Sequence, residues 1–318
     1  MLPKSQYIPV IHPDEHYMSV ILRWEGVHNS FPLFKESKFN KNRSLSKYLK
    51  VSFIKKLVWE LPSGLDLNWF LLRTTQFGHF NFYGAVLDKA IEFCDSIKKD
   101  SQILHVTDLQ LRWCKMCARN DISDYGYSFW RNSHQDPRLI RCPRHKLILN
   151  SCCKFCNIKT PEYKQLKAFK SLERCIVCNT LLPPSVKINI LTPFETWLEE
   201  LHHLSNKGIY VDKLALIDCV NQIINTNDNF TPKSRLSTRR NEAQKHLVSE
   251  YNETGAYKLF TFKKVTYDAV KYYKELTLGC ILNKSTCYSP VIYALLGWVF
   301  LSIEERNELF GSFKKWGK

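Results

Sequence analysis

"CKMC", residues 114–117, and "CPRH", residues 142–145, are the two stretches whose pairing decides how this chain folds. Cys142 and His145 alone offer half of a tetrahedral metal site, and the nearest soft pair upstream, Cys114 and Cys117, supplies the other half. The pattern C-x2-C, twenty-four residues, C-x2-H gives three sulfurs and one nitrogen. That is a donor set of four-coordinate structural zinc, and each two-residue gap lets one tight turn present both donors to one ion.

A second set follows at once. "CCKFC" holds Cys152, Cys153 and Cys156, and "CIVC" holds Cys175 and Cys178. Cys153, Cys156, Cys175 and Cys178 read as C-x2-C, eighteen residues, C-x2-C, within the range of a four-cysteine zinc site. Cys152 remains an alternative to Cys153, because C-x3-C spacing also serves. His134, inside the first loop, lacks a partner two residues away and is expected to face solvent or to pack.

Both sets close at four protein ligands, whereas a hydrolytic zinc keeps a position open for water. The sequence contains no H-E-x-x-H, no G-x-S-x-G and no G-x4-G-K-[ST], so metalloprotease, α/β-hydrolase and P-loop chemistries have no motif to rest on. The expectation is two structural zinc ions and no enzyme. An HNH-type nuclease, the remaining enzymatic reading, lacks an ordered set of histidine and acidic residues here.

Cysteine usage agrees with that reading. Eight of the twelve cysteines lie between Cys114 and Cys178, and Cys94, Cys219, Cys280 and Cys287 sit in apolar, helix-like surroundings as small core residues. Met1–Ile11 has no continuous apolar core, and "PVIYALLGWVFL" at 290–301 falls short of the roughly 18 apolar residues of a membrane span. A cytoplasmic chain with reduced thiols and no membrane partner is therefore expected.

The formal charge is +16, with a pI near 9.3. Loading two such zinc sites lowers the charge by only about three units, since three thiolates around Zn²⁺ carry −1 and four carry −2. A chain this basic suits a polyanionic partner such as nucleic acid. The densest basic run is residues 35–56, where Lys41, Arg43, Lys47 and Lys50 are interleaved with Phe34, Phe39, Tyr48 and Phe53 and become candidate phosphate contacts. Arg235, Arg239 and Arg240 form a second candidate patch within 225–246, a polar stretch expected to be loop or helix edge.

Helical patterns flank the cysteine region. Asp14 after Pro13 reads as a helix start, with Met18, Ile21, Leu22 and Glu25 at helical spacing. "SLSKYLKVSFIKKLVWELP" (44–62) and Val86–Ile97 repeat the pattern. Downstream, Thr192-Pro193 with Glu195 reads as a capping box opening a helix, Leu214–Ile224 continues as helix, Ser289-Pro290 begins an apolar helix to about Leu301, and Ser302 with Glu305 caps a last one. Small β-hairpins are expected around Arg141–Leu149 and Cys175–Leu182. The fold class is thus mainly α in three parts: a helix-turn-helix-like N-terminal domain (1–105), a tandem zinc-binding region (106–188) and a C-terminal helical domain (189–318).

This order resembles the TniQ/TnsD family of transposon target-selection proteins. "PDEHYMSVILRW" is similar to the family's opening Asp-Glu-x-x-x-Ser-x-x-x-Arg, matched by Asp14, Glu15, Ser19 and Arg23. The stretch from "CKMC" to "CPRHKLIL" is similar to its Cys pair, aromatic-Trp step and Cys-Pro-x-His-x-x-x-Leu, matched by Cys114, Cys117, Trp130, Cys142, Pro143, His145 and Leu149. The likeness covers about residues 9–25 and 110–180. It implies a non-enzymatic adaptor that hands an insertion site to an AAA+ transposition regulator in a prokaryotic cytosol or nucleoid. One mode, often a homodimer, sits on an RNA-guided, Cascade-type CRISPR complex, and the compact chain favours it; the other reads attachment-site DNA directly.

Overall fold

The computed structural model describes residues 10–28, 54, 65–75, 111–151, 153, 155–156, 173–175, 178–181, 186–187, 190–209, 211–226, 236–259, 264–273, 276–284 and 288–311. Those residues are mainly helical, and they form two compact units, one running to Ile190 and one starting at Leu191. No helix among them is long and apolar enough to cross a membrane. The expected helices at 44–62 and Val86–Ile97 lie outside the described residues, apart from Ile54.

In the first unit, α1 (Tyr17–His28) buries Tyr17, Met18, Val20 and Ile21; of the expected stripe Met18 and Ile21 are buried and Leu22 is half-buried. It starts three residues later than Asp14. Asp14 has φ 67, a left-handed conformation that Asp tolerates, and its carboxylate is spent on Ser133 rather than on the helix end. The first turn of α1 is served instead by His16, whose Nδ1 accepts from the Met18 N–H at 3.3 Å. A short α2 (Leu67–Thr74) is capped by Asp66, which accepts from Trp69 N–H at 3.0 Å; no signal had marked it. The third helix, α3 (Lys115–Tyr125), begins directly after Cys114 and ends at Gly126, whose φ of 81 suits a residue without Cβ.

Strand pairing among the described residues is limited to isolated antiparallel bridges. Arg141 pairs with Ile148 and Arg174 with Leu181, at the two expected hairpins, and Trp113–Asn150 and Leu147–Lys187 tie these turns to their neighbours.

The second unit is built on α8 (Pro290–Phe300), which buries every residue from Pro290 to Gly297, as an apolar run of that length requires. It packs against α4 (Pro193–Asn206), α5 (Lys213–Thr226) and α6 (Leu236–Glu253). The Thr192–Glu195 capping box is fully formed, and so is the Ser302–Glu305 pair that opens α9 (Ile303–Gly311). A four-residue helix, α7 (Leu278–Ile281), is held by Gln244, whose side chain accepts from Leu278 N–H at 2.7 Å and donates to Leu276 O at 2.8 Å.

The polar stretch 225–246, expected to be loop or helix edge, holds more helix than that: residues from Leu236 onward belong to α6, the longest helix of the described residues. Its inward stripe is narrow, with Ala243, Gln244, Leu247, Val248 and Tyr251 buried between exposed polar positions. Tertiary packing of those few residues overrides the polar composition.

Candidate metal centres

Cys114 and Cys117 meet one ion position because α3 starts between them: Ala118 N–H bonds Cys114 O at 3.0 Å, fixing the first turn. The facing half is the turn from Cys142 to Leu147. Lys146 N–H bonds Cys142 O at 2.8 Å, Cys142 N–H bonds Leu147 O at 2.7 Å, and Lys146 has φ 56. The second cluster repeats this turn atom for atom. Asn179 N–H bonds Cys175 O at 3.0 Å, Cys175 N–H bonds Thr180 O at 2.8 Å, and Asn179 has φ 55. Two turns of one geometry, each presenting two donors three residues apart, arise from sequences that share little besides the ligands.

The ligand atoms of Cys114, Cys117, Cys142 and His145 lie within 4.8 Å of one another, as do those of Cys153, Cys156, Cys175 and Cys178. The separations fit tetrahedral coordination. Sulfurs 2.3 Å from one centre stand about 3.8 Å apart, and sulfur to nitrogen about 3.5 Å. The observed sulfur pairs are 3.7 Å (Cys117–Cys142), 3.6 Å (Cys153–Cys178) and 3.6 Å (Cys156–Cys175). His145 Nδ1 lies 3.5, 3.3 and 3.6 Å from the sulfurs of Cys114, Cys117 and Cys142. Each group can hold a metal ion. Cys153 belongs to the second group, while Cys152 lies outside the described residues.

Electrostatics point the same way. Cys142 is pulled strongly toward thiolate by hydrogen bonds from the thiols of Cys114 and Cys117, whereas Cys117 is pushed far up by the sulfurs of Cys114 and Cys142 and by burial. Three buried sulfurs in contact cannot all ionise without a cation among them. At the second centre, exposed Cys178 is held down to about 6 by hydrogen bonds from the Thr180 hydroxyl, 3.2 Å away, and the Thr180 backbone N–H.

The first centre is firmly buried. Cys114, Cys117, Cys142, Leu139 and Leu149 form a small core with Leu147 packed against it. The loop carrying Cys142 is pinned by Arg112, which donates to the carbonyls of Leu139 and Asp136, each at 2.5 Å, and by the buried Arg138–Asp136 ion pair at 2.6 Å. The N-terminal segment locks onto the same loop. Asp14 accepts from Ser133 N–H at 2.7 Å and from its hydroxyl at 2.5 Å, Asn132 N–H bonds Asp14 O at 2.6 Å, and His16 N–H bonds Trp130 O at 2.8 Å. Glu15, fully buried, lies opposite Arg131 in an antiparallel backbone bridge and pairs through its side chain with Arg23 at 2.6 Å. Burial raises the Glu15 carboxyl even against that guanidinium. Arg131 in turn pairs with buried Asp121.

His134 is buried rather than solvent-facing, and it stands outside the four-ligand group with Nε2 3.8 Å from Cys117 Sγ. Of the basic candidates, Lys41, Arg43, Lys47, Lys50 and Arg235 lie outside the described residues. Arg239 and Arg240 fall on α6. Arg239 donates to the carbonyl of Asn225 in α5, so it ties two helices together, while Arg240 is exposed. Cys219 and Cys280 are half-buried rather than fully enclosed, and Cys94 and Cys287 lie outside the described residues. Sequence reasoning missed Arg112, Asp121, Arg131 and Asp136, polar residues whose role depends on contacts across loops.

No known protein family matches this chain. No curated protein matches it at the level of sequence.

Proposed function

We propose that this protein is a non-enzymatic targeting adaptor for DNA transposition, of the kind the TniQ/TnsD resemblance implies, with its centre held by two structural zinc ions. Cys114, Cys117, Cys142 and His145 hold one ion, and Cys153, Cys156, Cys175 and Cys178 the other; each fills four coordination positions with protein donors, which is the chemistry of structural zinc. The observation that carries the reading is the interlock between the two matched segments. Asp14, Glu15, Ser19 and Arg23 come from the N-terminal pattern; Asp14 bonds Ser133, Ser19 bonds Trp130, Glu15 pairs with Arg23, and Glu15 lies opposite Arg131 in an antiparallel backbone bridge beside the first centre. Ser19 and Trp130, matched residues of the two segments, are direct hydrogen-bond partners, which supports treating both segments as one module.

On this reading the adaptor works in the cytosol or nucleoid, with an AAA+ transposition regulator on one side and a Cascade-type CRISPR effector on the other, as a homodimer. The N-terminal helices would supply the helix-turn-helix-like part. Purified, zinc-loaded chain mixed with the regulator and effector tests this directly by co-purification; failure to bind either rejects the adaptor role. Direct reading of attachment-site DNA is the second mode, and the basic charge suits it equally. A direct reader making about six phosphate contacts gives a log–log salt slope near −5, from about −0.9 per contact. Weak, sequence-blind binding of the isolated chain supports the effector-bound mode. Nicking of plasmid in Mg²⁺ would count for the nuclease reading and against both.

The metal assignment has its own test. Elemental analysis of the loaded chain is expected to find two equivalents of zinc. Cys117→Ser and Cys178→Ser are each expected to lose one equivalent and to unfold the region around it, because structural zinc supplies roughly 10–16 kcal/mol of folding energy in small peptides.

A further inference from the structure

The four donors of the first centre account for one imidazole, yet a second one stands against it. His134 is 2% exposed, and its Nε2 lies 3.8 Å from Cys117 Sγ, within reach of an N–H···S hydrogen bond. Its ring is aimed from a single helical turn, Ser133–Gln135, that is anchored on both sides. Before it, Ser133 gives both its N–H and its hydroxyl to Asp14. After it, the Gln135 side chain accepts from Arg112 N–H at 2.8 Å and donates to the carbonyls of Arg112 and Arg131 at 2.9 and 2.7 Å. The other ring nitrogen, Nδ1, is buried and has no hydrogen-bond partner among the described residues. A neutral imidazole carries one N–H, and it goes where an acceptor waits. Here the acceptor is the sulfur, so the proton belongs on Nε2.

We propose that His134 is an outer-sphere donor to the first metal centre: its Nε2–H bonds the Cys117 thiolate, lowers that sulfur's reactivity and slows loss of the metal. The inference rests on the zinc reading of this cluster. Thiolates, not thiols, are the nucleophiles toward oxidants and alkylating agents, and three of them around one dication leave net negative charge on sulfur. A donor that shares this charge makes Cys117 a poorer nucleophile while leaving it a ligand. Partners of this outer kind set ligand orientation and typically change metal affinity by 10–100-fold. The anchoring through Asp14 also makes the N-terminal segment part of the centre's protection, although it supplies no ligand.

The test uses the full chain. With histidines labelled by ¹⁵N and the sites loaded with ¹¹³Cd, two imidazoles are expected in the Nε2–H form: His145, which faces the metal through Nδ1, and His134, assigned by its absence from the His134→Gln spectrum, whose slowly exchanging Nε2 proton itself shows scalar coupling to cadmium. His134→Gln, which keeps an N–H donor, should release one of its two metals to N-ethylmaleimide within about twofold of the wild-type rate. His134→Leu, which keeps bulk but no donor, should release that metal about tenfold faster or more, and in the cobalt form its sulfur-to-metal charge-transfer band should move to lower energy. Should His134→Leu fail to fold, the wild-type spectrum decides alone. Two bound metals with His134 in the Nδ1–H form, or with no cadmium coupling, overturn the proposal and leave the zinc reading standing. Fewer than two metals in wild-type protein sinks the zinc reading itself.

Discussion

Ser19, in the first helix, accepts a hydrogen bond at 2.9 Å through its Oγ from the backbone N–H of Trp130, 111 residues further along the chain. Both residues are buried. The contact fastens α1 to the aromatic step of the first metal centre, and it explains a hydroxyl on the otherwise apolar face of that helix. Ser19→Ala removes this acceptor from a buried donor, at an expected cost of about 1–3 kcal/mol. Urea unfolding should show the loss, while metal content stays at the wild-type value. An unchanged midpoint would mean that the N-terminal segment adds nothing to the stability of this unit.

His12 offers a pH readout of the same contact region. Its ring stacks on Phe129 at 5.1 Å between centroids, and Nε2 meets the Tyr127 hydroxyl at 2.5 Å. Burial, with Arg23 and Arg131 nearby, holds it below the ordinary value of 6.5. The unfolded chain therefore binds this proton more readily than the folded one, so stability is lost as pH falls through about 6.5 toward the folded value and levels off below it. His12→Phe keeps the stacking ring and cannot titrate. Relative to that variant, wild type should lose stability between pH 8 and pH 5; parallel curves would show that His12 is not held down.

How much of this was legible beforehand follows from where the information sits. Ligands, capping boxes and the buried helix α8 are local: Cys114 with Cys117, Thr192 with Glu195, and the run after Pro290 each declare themselves within a few residues. Asp14 was misread because its chemistry suits a helix cap as well as the tertiary bond to Ser133 that it makes. The helix α6 was missed because only a narrow stripe around Leu247 and Tyr251 is apolar, and its value comes from packing on α5 and α8. His134 has no sequence signal, because an outer-sphere contact needs no fixed spacing.

The repeated turns of the two metal centres differ in one residue that physics distinguishes. Lys146 and Asn179 occupy the same left-handed position, at φ 56 and 55. Asn tolerates that region, whereas a long side chain with a Cβ is strained there by roughly 1–2 kcal/mol. Lys146 is exposed, so its side chain buries little. Lys146→Gly is therefore expected to stabilise the first centre by about 0.5–1 kcal/mol, after the larger entropy that glycine has in the unfolded chain is deducted. Competition with a chelator should show tighter metal retention at that centre alone, and Asn179→Gly should gain less. A loss of stability in Lys146→Gly would mean that the lysine side chain contributes more than its strain.

In the second unit, Gly297 in α8 lies under Phe310 of α9. A Cβ built on Gly297 would sit 2.7 Å from Phe310 Cζ, closer than carbon atoms approach without displacement. The ring has little freedom to yield, being 1% exposed and wedged edge-on against Trp197 at 5.0 Å between centroids. Gly297→Ala should thus cost about 1–3 kcal/mol through overpacking, despite the better helix propensity of alanine. Phe310→Leu shortens the clashing group, so in the double variant the added methyl should fill space that the ring vacated. The two changes should then couple, the double variant being more stable than the sum of the single losses by over 0.5 kcal/mol, beyond the ordinary scatter of independent sites. Strict additivity in urea unfolding would show that α8 and α9 do not meet at this glycine.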